Sequence, residues 1–175
     1  MTDLIYYVAM SIDGFIADKN GELGWLETLP QTDDDYGYNR LLFDTDALIM
    51  GRKTYEQVLG FGEWPYADKL TWVMTSQPLV SDRDDVIITH QSPADVIAEI
   101  GERGLGQIWL VGGGLLAKTF HDQSLISEYI ISVIPYLLGE GIPLFALGAR
   151  ETSLTLTISE TYDSGVVQMT YKNNE

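Results

Sequence analysis

The 175-residue chain has no cysteine and only two histidines, His90 and His121. The missing thiols exclude disulfides, thiolate nucleophiles and cysteine-ligated metals. Two separated imidazoles do not make a histidine-rich metal site either, so no metal is expected. Positive charge is scarce: ten lysines and arginines face twenty-six aspartates and glutamates, a formal net charge of −16. Such a surface repels nucleic acid and anionic membrane, and neither is expected as a partner. Long apolar runs are missing too. The stretch from Tyr129 to Leu138 is interrupted and too short to span a bilayer. Met1-Thr-Asp-Leu4 carries no basic region ahead of its apolar run, so no signal peptide is expected and a cytoplasmic location is the default. No repeat, low-complexity tract or linker breaks the pattern. The length and the 45% hydrophobic content suit one domain over residues 1–175 with a sizeable core.

Two glycine-centred segments carry the functional signal. One reads Ala47-Leu-Ile-Met-Gly51-Arg-Lys-Thr-Tyr55, the other Ile108-Trp-Leu-Val-Gly112-Gly-Gly114-Leu-Leu116. Each is a short apolar run that stops at glycine and gives way to a helical pattern. A strand end without a Cβ, followed by the free N–H groups of a helix start, can receive a phosphate. Two such ends in one small domain predict a phosphate-rich ligand across the edge of a parallel sheet, a dinucleotide first among them. The acidic surface would repel that ligand, so a local basic patch is needed, and Arg52 and Lys53 lie beside the first glycine. Neither segment has the spacing of the dinucleotide fingerprint or the lysine-plus-serine ending of a P-loop. Taken singly, each reads equally well as a tight strand-to-helix turn.

The remaining pattern alternates strands with helices. Leu4 to Met10 reads as a buried strand ending in the turn Ser11-Ile-Asp-Gly14, and Asp18-Lys-Asn-Gly21 as a second turn. Thr32-Asp-Asp-Asp35 resembles a helix start, with Tyr36, Asn39, Arg40 and Phe43 at helical spacing behind it. Strands are predicted at 47–50, 70–74, 86–89, 107–111 and 128–134, and helices at 54–59, from Ser92 to about 101–104, and at 114–121. Leu154, Leu156 and Ile158 alternate with polar residues, which predicts a half-buried antiparallel strand; Val167, Met169 and Tyr171 mirror it after the turn Tyr162-Asp-Ser-Gly165. The expected class is α/β, with a mixed, mostly parallel sheet covered by helices on both faces and closed by a C-terminal antiparallel hairpin. That hairpin and the 129–134 strand offer apolar surface and a sheet edge, from which a homodimer is expected.

The chain resembles the dihydrofolate reductase superfamily, in particular the branch shared with the reductase domain of bacterial riboflavin biosynthesis. The resemblance rests on Val8-Ala-Met-Ser-Ile-Asp-Gly-Phe-Ile-Ala17, Asp46 to Glu56, Val73 to Pro78, Trp109 to Leu116, and Pro135-Tyr-Leu-Leu-Gly-Glu-Gly-Ile-Pro-Leu-Phe145. These segments occur in the family's order and span most of the chain. The resemblance implies a three-layer α/β/α fold and NADPH as cofactor. On it, the backbone of Val8 and Ala9 would meet the nicotinamide carboxamide, with Ile16 covering the ring. Gly51, Arg52, Lys53 and Thr54 would sit at the phosphates. Thr75, Ser76 and Gln77 would surround the adenosine end, with Ser76 or Arg52 able to contact a 2′-phosphate. Val111, Gly112, Gly113, Gly114, Leu115 and Leu116 would accept the pyrophosphate and nicotinamide half. The two glycine ends would then be opposite walls of one groove.

The substrate side rests on fewer residues. Hydride transfer to a C=N bond needs a proton, so an acid in an apolar pocket makes chemical sense. Ungapped counting back from Gly51 places Asp35 at the family's acidic position; the alternative is a first-turn capping acid. Asp13, in the Ser-x-Asp-Gly turn that recurs in the riboflavin branch, either meets substrate or closes its own turn. Glu140 lies in a glycine-rich turn used by that branch near its substrate. Trp25, Tyr36, Tyr38, Trp64 and Tyr66 either sandwich a flat heterocycle or serve as core. The expected function is an NADPH-dependent reductase of a small heterocycle, pterin-like or pyrimidine-like. The alternative is a non-catalytic nucleotide-binding or ligand-sensing protein on the same fold.

Overall fold

The computed structural model describes residues 2–174. Its centre is an eight-stranded sheet. The strands of the chain are β1 (Asp3–Ser11), β2 (Phe15–Ala17), β3 (Ala47–Gly51), β4 (Leu70–Met74), β5 (Val86–Thr89), β6 (Gln107–Gly112), β7 (Glu128–Ile134), β8 (Ile142–Pro143), β9 (Leu154–Thr161) and β10 (Val167–Asn173). The order across the large sheet is β5-β4-β3-β6-β1-β7-β10-β9, and β2 pairs with β8 in a separate two-stranded sheet. The pairings from β5 to β7 are parallel. The C-terminal hairpin closes the sheet, β10 antiparallel to β7 and β9 antiparallel to β10.

Alternation along the strands sets the two core layers. Leu48 and Met50 of β3 pack on one face with Leu41, Tyr55, Val58 and Val73, while Ala47 and Ile49 pack on the other with Trp72, Val96, Ile100, Ala117 and Phe120. The first face is covered by α1 (Tyr38–Asp44) and α2 (Arg52–Gly60), the second by α3 (Pro93–Glu102) and α4 (Gly114–Asp122). Burial on both sides explains why the inner strands read as continuous apolar runs. The expected α/β class with a mostly parallel sheet is what the structure shows.

Three local expectations are corrected. Helix α1 begins at Tyr38, because Tyr36 and Gly37 both take positive φ values (54° and 81°) and stand outside it. Helix α2 begins at once after Gly51, at Arg52. Strand β9 is mostly exposed rather than half-buried; as the outer edge it has no neighbour beyond β10, and Leu156 and Ile158 keep about half their surface in solvent.

Candidate nucleotide site at the carboxyl ends of the sheet

The strand order reverses between β3 and β6. From β3 the chain runs outward through α2 to β4 and β5, then returns through α3 to β6. Because α2 leaves β3 over one face and α4 leaves β6 over the other, the carboxyl ends of two neighbouring strands diverge. Such a switch point opens a crevice that a ligand can occupy. Gly51 closes β3 and Gly112 closes β6, so the topology brings the two glycine ends together.

They touch rather than face each other across a gap. A Cβ built on Gly51 would stand 3.8 Å from the Gly112 carbonyl oxygen, and one on Gly113 would stand 4.0 Å from the Thr54 hydroxyl. The picture of opposite walls is therefore replaced by one continuous seam, over which a ligand would lie. The glycines serve different ends. Gly112 has φ +132°, closed to ordinary L side chains, and its Cβ direction is open space. The Gly112–Gly113 peptide is cis. Gly114 is instead demanded by the fold: a Cβ there would lie 2.2 Å from the Pro143 carbonyl oxygen.

Helix α3 starts with Ser92, whose hydroxyl accepts from the Asp95 N–H. Helices α2 and α4 start on Gly51 and Gly113 with no side-chain cap. Both helices at the seam therefore leave first-turn N–H groups for an external acceptor, with the positive ends of their dipoles behind them. Arg52 adds charge. Its guanidinium pairs with Glu56 at 2.7 Å and donates to the Pro78 carbonyl at 3.3 Å, tying α2 to the turn after β4. In that turn the Gln77 N–H donates to the Thr75 hydroxyl at 3.1 Å, and Ser76 and Gln77 stand exposed. Lys53 is exposed and forms no ion pair among the described residues.

The other end of the seam is built from β1. Its ladder with β6 stops at Tyr6–Leu110, whereas its ladder with β7 continues to Ser11–Ile134. The backbone at Val8 and Ala9 thus loses its β6-side partner where β6 turns away. Ile16 lies on β2, which β8 and the Leu144 N–H hold in place, the latter donating to the Gly14 carbonyl at 2.9 Å. The Gln57 amide of α2 donates to the Gly21 carbonyl at 2.7 Å. The 12–21 segment therefore runs from β1 to α2. Val111 and Leu116 are half-buried, and Leu115 is exposed.

The predicted substrate-side residues fall into two groups. Trp25 is buried against Ala9, Ile134, Tyr136 and Val166, and its indole N–H has no partner among the described residues. The acids are elsewhere. Asp35 is exposed, and its carboxylate accepts from the Gly37 N–H at 2.9 Å and the Asn39 N–H at 3.1 Å. Those bonds hold its carboxyl below the usual range, so of the two readings open for Asp35 the geometry supports the helix cap. Asp13 is also exposed. It accepts from the Ser11 hydroxyl at 2.6 Å and from the Leu138 and Gly139 N–H groups, which lowers its pKa. It clamps the β1–β2 turn onto the loop after β7 instead of closing its own turn alone. Glu140 pairs with Lys19 at the surface.

Trp64 and Tyr66 are core, linked edge to face with Tyr55 and Trp109. Sequence reading missed the partners of Tyr36. Its carbonyl accepts from the Tyr7 hydroxyl at 3.0 Å and the Gln168 amide at 2.8 Å, and burial pushes the Tyr7 phenol up to about 12. Residues so far apart in sequence give no local signal of this meeting.

Comparison with known proteins agrees with the architecture. Residues 2–168 match the model of the RibD C-terminal domain family. The uncharacterized protein YwjB of Bacillus subtilis is 34% identical over 163 residues, covering 93% of each chain. Among solved structures, a Shewanella sp. PV-4 protein provisionally named for riboflavin biosynthesis superposes with a TM-score of 0.91 at 33% identity, over the full length of both chains. Dihydrofolate reductase from Enterococcus faecalis, solved with NADP(H), superposes with a TM-score of 0.70 at 20% identity, covering 99% of this chain and 97% of its own. No helix among the described residues is long and apolar enough to cross a membrane.

Proposed function

The chain belongs to the RibD C-terminal domain family, and from that premise we propose that it is an NADPH-dependent reductase of a small heterocycle, pterin-like or pyrimidine-like. The observation that carries the reading is the seam itself: two uncapped helix starts and an open positive-φ glycine converge where neighbouring strands diverge. Residues 51–54 and 112–116 would hold the pyrophosphate, Arg52 and the Thr75–Gln77 turn the adenosine end, and the backbone at Val8 and Ala9, beyond the end of the β6 ladder, the carboxamide. When bound, the cofactor supplies a hydride. The chain's own part is to bind, orient and exclude water. Trp25 is assigned to the substrate side because it shares a packed cluster with Ala9. A homodimer through the C-terminal hairpin and a cytoplasmic setting accompany this reading.

A second reading, ligand sensing without turnover, is favoured by one observation. Asp13, Asp35 and Glu140 are all at the surface and already engaged, so none is a buried proton donor. Following NADPH absorbance with panels of oxidised pterins and pyrimidines separates the two. Substrate-dependent loss of NADPH supports the reductase. Tight binding with no turnover on any of them supports the sensor.

A further inference from the structure

The cluster around Trp25 is built from rings and aliphatic side chains. Trp25 and Tyr136 lie with ring centroids 5.9 Å apart, and Tyr36 meets Tyr162 edge to face at 4.9 Å. Ala9, Leu26, Leu29 and Leu138 pack against the same group. The phenols of the tyrosine pair are already engaged. Tyr36 donates to the Ser164 hydroxyl at 3.0 Å and Tyr162 to the Glu160 carboxylate at 3.5 Å. What the pair offers a ligand is therefore ring surface. Beside the cluster the apolar character reaches solvent. The Ile12 N–H donates to the Tyr136 carbonyl at 2.9 Å, which ties the segments leaving β1 and β7 together, and there Ile12 and Leu137 are 59% and 67% exposed. Large aliphatic side chains exposed beside an aromatic cluster mark a surface for an apolar ligand.

The charges around this surface are negative. Burial and the nearby Glu160, Asp34 and Asp35 carboxylates raise the pKa of the Tyr162 phenol. Asp13 holds the Leu138 and Gly139 N–H groups. Positive charge is committed elsewhere. Lys19 pairs with Glu140, and Arg40 with Asp44. Arg52 and Lys53 open α2. Lys69, Arg83 and Lys172 stand at the amino ends of β4, β5 and β7, and Arg103 closes α3. Lys118 and the Arg150 backbone bond Asp122 of α4. A phosphate or carboxylate on the substrate would thus meet carboxylates, and no unpaired base among the described residues.

Resting on the reductase reading above, we infer that the substrate is an uncharged heterocycle carrying an apolar substituent, best an aromatic one, which Ile12, Leu137 and the Tyr36–Tyr162 pair receive, and that phosphate- or carboxylate-bearing rings are refused. Selection then works in both directions: apolar contact favours the right substituent, and like charge rejects the wrong one.

The test is calorimetric titration of the NADP+-saturated protein at neutral pH with two matched series: 6-phenyl-, 6-methyl- and 6-carboxypterin, and 6-benzyl-, 6-methyl- and 6-carboxyuracil. In each series that binds, the aryl member is expected to bind about tenfold tighter than the methyl member, and the carboxylate about tenfold weaker or worse. Leu137→Lys, at an exposed position, exchanges apolar surface for a cation. It is expected to weaken the aryl members and strengthen the carboxylates by about threefold each, with NADP+ affinity within about twofold of wild type. The inference is overturned by a carboxylate that binds as tightly as its methyl counterpart, by an aryl member that binds no tighter than it, or by Leu137→Lys shifting neither. It is also overturned if no member binds while NADP+ does; all of these outcomes leave the cofactor reading intact. Failure to bind NADP+ overturns the cofactor reading, and the inference with it.

Discussion

The Thr54 hydroxyl of α2 lies 4.0 Å from where a Cβ on Gly113 would stand. One residue belongs to the helix leaving β3, the other to the turn leaving β6, and the helices run to opposite faces of the sheet. Their contact makes the two glycine ends a single continuous surface.

The glycines of that surface separate fold from ligand. At Gly51 φ is −81° and a Cβ would meet the Gly112 carbonyl at an ordinary 3.8 Å. Gly51→Ala is expected to cost about 1 kcal/mol or less, from a poorer helix cap, yet to weaken NADPH by about tenfold or more through loss of close approach. Gly114→Ala drives a methyl into the Pro143 carbonyl and is expected to cost about 2–3 kcal/mol with or without cofactor. Denaturant unfolding beside cofactor titration checks both; equal destabilisation by the two would remove the distinction.

Much of this was legible in the sequence. Apolar runs ending in glycine located β3 and β6, and Ser92-Pro93 located the one side-chain-capped helix of the second face. What was not legible depended on backbone sign and on distant partners. Positive φ at Tyr36 and Gly37 delays α1, which a helical spacing through Tyr36 does not reveal. Alternation in β9 predicted a buried side, but alternation does not say whether anything covers that side. That the fold itself also demands glycine at 114 was not legible, because the obstacle, Pro143, is distant in sequence.

Asp35 gives a test of role. Asp35→Ala removes the acceptor for the Gly37 and Asn39 N–H groups and is expected to lower the melting temperature. Asp35→Asn keeps an acceptor and is expected to melt close to wild type, with NADPH affinity unchanged in both. Abolished turnover in Asp35→Asn at unchanged stability would return Asp35 to the chemistry.

The acid limb of stability has a named contributor. The Asp46 carboxylate accepts from the Gly106 and Gln107 N–H groups at 2.8 and 2.9 Å, and those bonds hold its pKa below the usual value. A lowered folded pKa means that the stabilisation is complete above the unfolded value of about 3.9 and is lost as pH falls through the folded one. Stability of the wild-type protein is therefore expected to drop below about pH 4, and Asp46→Asn to flatten part of that drop. Unfolding free energies between pH 7 and pH 2.5 measure it; parallel curves for the two proteins would count against the assignment.

The far end of α4 carries a buried polar clasp. His121 Nε2 donates to the Arg150 carbonyl at 2.7 Å, which leaves Nδ1 to accept from the Tyr129 hydroxyl at 2.9 Å. Tyr129 is fully buried. Tyr129→Phe strands the histidine nitrogen and is expected to cost about 1–3 kcal/mol, with NADPH affinity unchanged. Equilibrium unfolding in urea reads the loss, and a neutral result would mean that the clasp contributes nothing.

On the proposed function, the seam between Gly51 and Gly112 holds NADPH. Titrating the wild-type protein with NADPH while following the cofactor's fluorescence tests it most directly, with Gly51→Ala alongside. Saturable binding by the wild-type protein, weakened about tenfold or more in the variant at near-equal stability, is the expected result. No binding at millimolar NADPH, or equal affinity in both proteins, would contradict it.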